Sequence, residues 1–193
     1  MKSPTVIFLL LALVGAGHCQ PDDGIPPLDA GEKACLRQFA ELPGFAQVHP
    51  APENEPGTPL IICGKLLRKQ DGSPVAHASL LVYHTDVKGD YQQRIKGKPE
   101  TARISGRVET DEKGRFLIST ILPGKYNNKG AGGHIHLQVE GAKPGGYTFQ
   151  FTQYSTLSDK KFISGNGQFF LVELKRDERG RLVGFLDLPV KGM

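Results

Sequence analysis

His134 and His136 flank Ile135 in the stretch Gly133-His134-Ile135-His136-Leu137-Gln138-Val139. Strand side chains alternate between faces, so the two imidazoles share one face and Ile135 takes the other. Two adjacent imidazoles are a ready pair of ligands for iron, zinc or copper. The same spacing also arises in a polar surface stripe, and the pair alone does not separate the two. Two tyrosines have comparable settings. Tyr126 ends Ile121-Leu122-Pro123-Gly124-Lys125-Tyr126, and Tyr91 ends the turn phrase that runs from Tyr83 through Asp86 and Gly89. Each follows a glycine-containing turn from which its ring can swing over a sheet. Both also fit as ordinary amphipathic rings at strand ends.

The elements needed to position these residues are mostly strands. Asp29 with Glu32 three residues on reads as a capping box, and a helix is predicted over Ala30 to Leu42, stopped by Pro43-Gly44. His49 to Pro59 is proline-rich and reads as a loop. Strands are predicted at 60–67, 78–84, 103–109, 115–119, 133–140, 147–154, 168–175 and 182–189, separated by Gly, Asp and Pro turns. About eight short strands and one helix predict a mostly β protein, a single β-sandwich domain with a short N-terminal helix.

The first residues have a different character. Met1-Lys2-Ser3-Pro4 is followed by the uncharged run Val6 to Val14 and by Gly15, Ala16 and Gly17. This is the layout of a secretory signal peptide, with an apolar run too short to span a bilayer. The expected organisation is a signal peptide at 1–19, a lead-in and helix at 20–58, and the sandwich at 59–193, in a secreted or periplasmic protein. His18 argues against a lipid anchor on Cys19. The net charge of +4 arises from 24 Lys and Arg scattered among 20 Asp and Glu, with no basic stripe. Nucleic acid is therefore not an expected partner, nor is a membrane after cleavage. Cys35 and Cys63 remain as an even pair in an oxidising compartment, where a disulfide is expected.

The phrases resemble those of the intradiol ring-cleavage dioxygenases, non-haem iron(III) enzymes that open catechols. Tyr83, Asp86, Gly89 and Tyr91 match the phrase around the family's first tyrosine ligand. Arg103, Gly106, Thr110-Asp111, Gly114, Phe116, Thr120, Pro123-Gly124 and Tyr126 match the next, in order. The His134–His136 pair follows, and Thr148-Phe149-Gln150 is similar to the family's Thr-Gln segment. The likeness runs from about Leu60 to Pro189, and the short chain is most similar to the family's secreted branch.

The resemblance implies a mononuclear Fe(III) site with Tyr91 and Tyr126 as phenolates and His134 and His136 as neutral imidazoles. It implies catalytic roles for Tyr91, which would leave the metal as a catechol dianion binds and take up its proton, and for Gln150. The partners implied are a small aromatic diol and O2, and a homodimer is compatible with the family. One departure stands out. Larger members carry arginine three residues before the first histidine, where this chain has Ala131, and Lys129 does not reproduce a planar guanidinium. That departure keeps a second reading in view: a non-catalytic β-sandwich module, transthyretin-like in its core, that binds iron and a catechol without cleaving it. A zinc hydrolase is the weakest reading, because two tyrosines are poor zinc partners and no carboxylate lies in the motif.

Overall fold

The computed structural model describes residues 24–125, 132–164 and 167–193. The expected signal peptide, Tyr126, Lys129 and Ala131 lie outside these residues. The ten strands among them are β1 (Gln47–Val48), β2 (Pro59–Arg68), β3 (Ser79–His84), β4 (Ile104–Glu109), β5 (Arg115–Ile121), β6 (His134–Val139), β7 (Gly146–Phe151), β8 (Phe169–Val172), β9 (Leu174–Arg176) and β10 (Leu182–Val190). They form two five-stranded sheets, β1-β5-β2-β10-β9 and β4-β3-β6-β7-β8. This is the expected β-sandwich.

Alternation divides each strand between two environments. In β2, Leu60, Ile62 and Leu66 are fully buried against Phe116 and Ile118 of β5 and against Leu80, Val82, Ile135 and Phe149 of the second sheet. Gly64 lies in the same inward row. A methyl group there would lie 2.2 Å from the Phe116 ring, so the missing side chain makes room for a large one. The opposite face of the first sheet carries Ile61, Cys63, Leu117 and Val183, which form a second core with Leu28, Phe39, Leu42 and Ala46. Helix α1 (Ala30–Ala40) supplies Phe39 to that layer, and both halves of the Asp29/Glu32 capping box are formed. The helix ends two residues short of the predicted Leu42, which precedes Pro43 and is therefore disfavoured in the helical region.

Three other elements differ from expectation. The predicted strand 168–175 is two strands: β8 pairs with β7 in one sheet and β9 with β10 in the other, the chain changing sheets at Glu173. A second helix, α2 (Leu157–Ser164), was not predicted. Its start carries a reciprocal cap, Thr156 Oγ1 accepting from the Asp159 amide and Asp159 Oδ2 from the Thr156 amide. The expected Cys35–Cys63 disulfide is not present, since both residues are free thiols. Cys63 lies beneath α1 in the second core, where it acts as a small apolar side chain. Burial pushes its pKa up to about 12, leaving almost no thiolate for exchange. Titration of the denatured, unreduced protein should count two thiols; a count of none would restore the bridge.

Candidate metal centre

The two histidines project from the outer face of the second sheet, while Ile135 between them is fully buried in the inter-sheet core. Their neighbours follow from strand register. His134 faces Gln150 on β7, and His136 faces Thr148 on β7 and Tyr83 on β3. Cross-strand partners share a face. Tyr83, His136 and Thr148 therefore form one row across the sheet, and His134 with Gln150 the next. Tyr83, Thr148 and Gln150 are buried although they point away from the core. Loop segments cover this face, and one of them, residues 85–103 between β3 and β4, brings in Tyr91.

Three donors meet there. The Tyr91 hydroxyl lies 2.9 Å from His136 Nε2. The rings of His134 and His136 stand edge to face with centroids 4.7 Å apart. Among the described residues no group of three His, Cys, Asp or Glu side chains converges; the group that joins the two imidazoles here is the Tyr91 hydroxyl. Each imidazole is oriented from behind. His134 Nδ1 is 3.1 Å from the Gly132 carbonyl oxygen, which can only accept, so Nδ1 carries the proton and Nε2 the lone pair. His136 Nδ1 is 3.0 Å from Thr148 Oγ1, and Tyr83 stacks on the ring at 4.8 Å. The carbonyl fixes the tautomer of His134, and the contacts behind both rings fix their direction, as outer partners do for a ligating histidine. Burial, with His134 and His84 nearby, holds the His136 pKa down at about 3, so the ring is neutral at ordinary pH.

The covering segments are locked by close backbone approach. The Asp86 carbonyl accepts from the Gly124 amide at 2.9 Å, and Thr85 Oγ1 donates to the Gly124 carbonyl at 3.0 Å. A methyl group on Gly124 would lie 2.3 Å from the Val87 carbonyl oxygen, and one on Gly133 2.0 Å from that of Pro123. Glycine at both positions thus lets three backbones stack: the turn before Tyr91, the turn before Tyr126, and the entry to His134. Asp86 organises the first of these, accepting from the amides of Lys88 and Asp90 and from the Gln92 side chain. Burial alone would raise its pKa, but these hydrogen bonds prevail and hold it below the usual carboxylate range.

His84 was not singled out from sequence. It is fully buried, with Nδ1 2.7 Å from the Thr85 carbonyl and Nε2 2.7 Å from Thr120 Oγ1 on β5, so it joins the two sheets beneath the cluster. The signal was present: Leu80, Val82 and His84 occupy the inward positions of β3. Burial lowers its pKa to about 4. The folded state then binds fewer protons than the unfolded chain, whose histidines titrate near 6.5. The associated stability is complete above that pH and is lost as pH falls through about 4. For His84 it amounts to roughly 3 kcal/mol. Urea midpoints of the metal-free protein should fall between pH 6.5 and 4; equal midpoints at pH 7 and 4.5 would contradict the buried neutral imidazole.

Comparison with known proteins agrees with this architecture. Residues 43–151 match the family Dioxygenase_C, described as Dioxygenase. A chlorocatechol 1,2-dioxygenase from Pseudomonas sp. (strain P51) is 30% identical over 118 residues, covering 53% of this chain and 45% of that protein. The chain thus spans less than half the length of that curated relative. The dioxygenase domain of a dioxygenase–carbohydrate-binding protein fusion from Streptomyces sp. SirexAA-E has the same fold, with TM-score 0.59 and 21% identity over 79% of this chain and 93% of that one. An intradiol ring-cleavage dioxygenase from Tetranychus urticae superposes with TM-score 0.56 and 18% identity over 75% of this chain and 86% of that one. The chain belongs to the dioxygenase family of intradiol ring-cleavage enzymes.

Proposed function

We propose that the protein is a secreted non-haem Fe(III) dioxygenase that cleaves a catechol-type ring between its two hydroxylated carbons. The observation that carries this is the meeting of Tyr91, His134 and His136 on one covered sheet face, with each imidazole held through Nδ1 and His136 Nε2 facing the Tyr91 hydroxyl. That donor set fits ferric iron: phenolate oxygen is hard and anionic, imidazole suits iron, and no thiolate intrudes. In this reading Tyr91, Tyr126, His134 and His136 hold the metal, with Tyr126 supplied by the segment following the Pro123-Gly124 turn. The iron supplies Lewis acidity and a template for the diol and O2.

The chain's own residues do the rest. Tyr91 Oη is the proton acceptor: as a phenolate it takes a proton from the incoming diol and turns aside as neutral phenol. His136 stays fixed between Thr148 and the stacked Tyr83 while Tyr91 moves. Gln150, next to His134 on the neighbouring strand and buried, presents an amide to the substrate side of the cluster. Its side-chain amide lies 3.2 Å from Ser155 Oγ, which also donates to the Phe151 carbonyl at 2.9 Å. The segment at 1–19 supports export. Ala131, in place of an arginine, favours one competing reading, an iron- and catechol-binding module without turnover.

Ferric protein should be red-purple through tyrosinate-to-iron charge transfer, and Tyr126→Phe should weaken and shift the band, since Tyr91 remains as a phenolate. A colourless protein after iron loading would remove the basis for the assignment.

A further inference from the structure

Tyr91 does not stand on a strand, so the sheet cannot aim it. Its direction is set by the arm 85–103, and that arm is closed by side chains on both sides of the tyrosine. Gln92, the next residue, has φ +45, one of only two positive-φ non-glycine residues among those described. Such a backbone is uncommon away from glycine and persists where its surroundings impose it. Here the Gln92 side chain is held at both ends: Nε2 donates to Asp86 Oδ2 at 2.7 Å, and Oε1 accepts from Arg103 Nε at 2.9 Å. The Arg103 guanidinium forks onto Glu55, each nitrogen–oxygen contact at 2.7 Å. The Glu55 side chain is only 7% exposed, although it comes from the segment leading into β2. The Arg103 amide in turn donates to the Tyr91 carbonyl at 2.9 Å. Four side chains from two segments, the arm itself and the stretch leading into β2, therefore make a closed clamp around residue 91.

We infer that Arg103 and Gln92, anchored by Glu55 and Asp86, are positioning residues that hold the Tyr91 backbone so that its phenol reaches the His134–His136 pair. The inference rests on the metal-site reading above and deepens it. An ion pair whose arginine is still about a third exposed contributes modestly to stability. A bidentate fork whose third nitrogen is also engaged contributes mainly geometry. The clamp's contacts fall on the main chain and on flanking side chains. The clamp thus fixes the Tyr91 Cα, while the ring takes its direction from packing against Tyr83 and Ala102 and from its contact with His136. Lysine at 103 keeps the charge and loses the fork.

The test compares Arg103→Gln, Arg103→Lys and Gln92→Ala with a control, Arg181→Gln, which breaks a similar arginine–aspartate contact, to Asp177, far from the site. In metal-free protein, amide exchange at residues 91–103 should quicken about tenfold in the three clamp variants while β6 is unaffected. Loaded with ferric iron, the same variants should lose charge-transfer absorbance and bind iron about 10- to 100-fold more weakly, with Arg181→Gln like wild type. Faster exchange with an unchanged band and affinity would make the clamp merely structural and overturn the proposal, as would unchanged exchange. A wild-type protein without the band would instead remove the iron assignment. The metal-free exchange would then still decide whether Arg103 and Gln92 hold Tyr91.

Discussion

His136→Ala is expected to abolish the iron colour and weaken ferric binding by more than about 100-fold, the upper end for losing an outer partner, because a direct donor is removed. The same change leaves Tyr91 Oη, Thr148 Oγ1 and the Tyr83 face without the atoms they now contact. The fold should survive. His136 is only part-buried and lies outside the inter-sheet core, so metal-free stability should fall by about 1 kcal/mol. The neighbouring Ile135→Ala should do the opposite. Ile135 is fully buried, and its truncation should cost about 2–5 kcal/mol while leaving the donor atoms in place. Chelator competition and urea denaturation on both variants separate the effects. Wild-type iron affinity in His136→Ala would contradict the site.

Gly133→Ala is expected to damage both properties together. The added methyl group would lie 2.0 Å from the Pro123 carbonyl oxygen and 2.8 Å from its carbon. Both atoms are backbone, so no side chain can turn away to relieve the contact. Either the Pro123-Gly124 turn moves, and with it the approach to Tyr126, or β6 shifts at the residue before His134. Overpacking of this kind costs about 1–3 kcal/mol, and a backbone partner puts this case near the upper figure. Gly146→Ala is the control. It also adds a methyl group to a glycine of the second sheet, but nothing lies within 4 Å. Its effect should stay within about 0.5 kcal/mol. Equal urea midpoints for the two variants would show that the three backbones do not stack as described.

Much of the fold was legible because its signals are local. Alternation marked β2, β3, β6 and β10 nearly to their ends, and the Asp29/Glu32 box marked the start of α1. The break between β8 and β9 was not legible. Phe169 to Lys175 carries no turn residue, and only the sheet each half joins divides it at Glu173. Strand β1 has two residues, too few for any period, and exists through its parallel pairing with β5. Helix α2 carries a local signal of its own, the capping spacing of Thr156 and Asp159. At the site, alternation sufficed to place His134 and His136 on one face. It could not show that Tyr91 reaches them, because Tyr91 lies on a loop held by side-chain hydrogen bonds among Asp86, Gln92 and Arg103 and by the Arg103–Glu55 pair, whose partners are 48 residues apart. The disulfide expectation failed for a related reason. Cysteine count and compartment do not show that Cys63 is taken up as a core residue under α1.

Turnover of a simple catechol tests the account most directly. The ferric protein is mixed with catechol under ¹⁸O₂, while oxygen consumption and product mass are followed. The account predicts one O2 consumed per ring opened and a muconic-type diacid carrying one labelled oxygen in each new carboxyl group. Tight catechol binding to the coloured protein with neither oxygen uptake nor ring-opened product would contradict it.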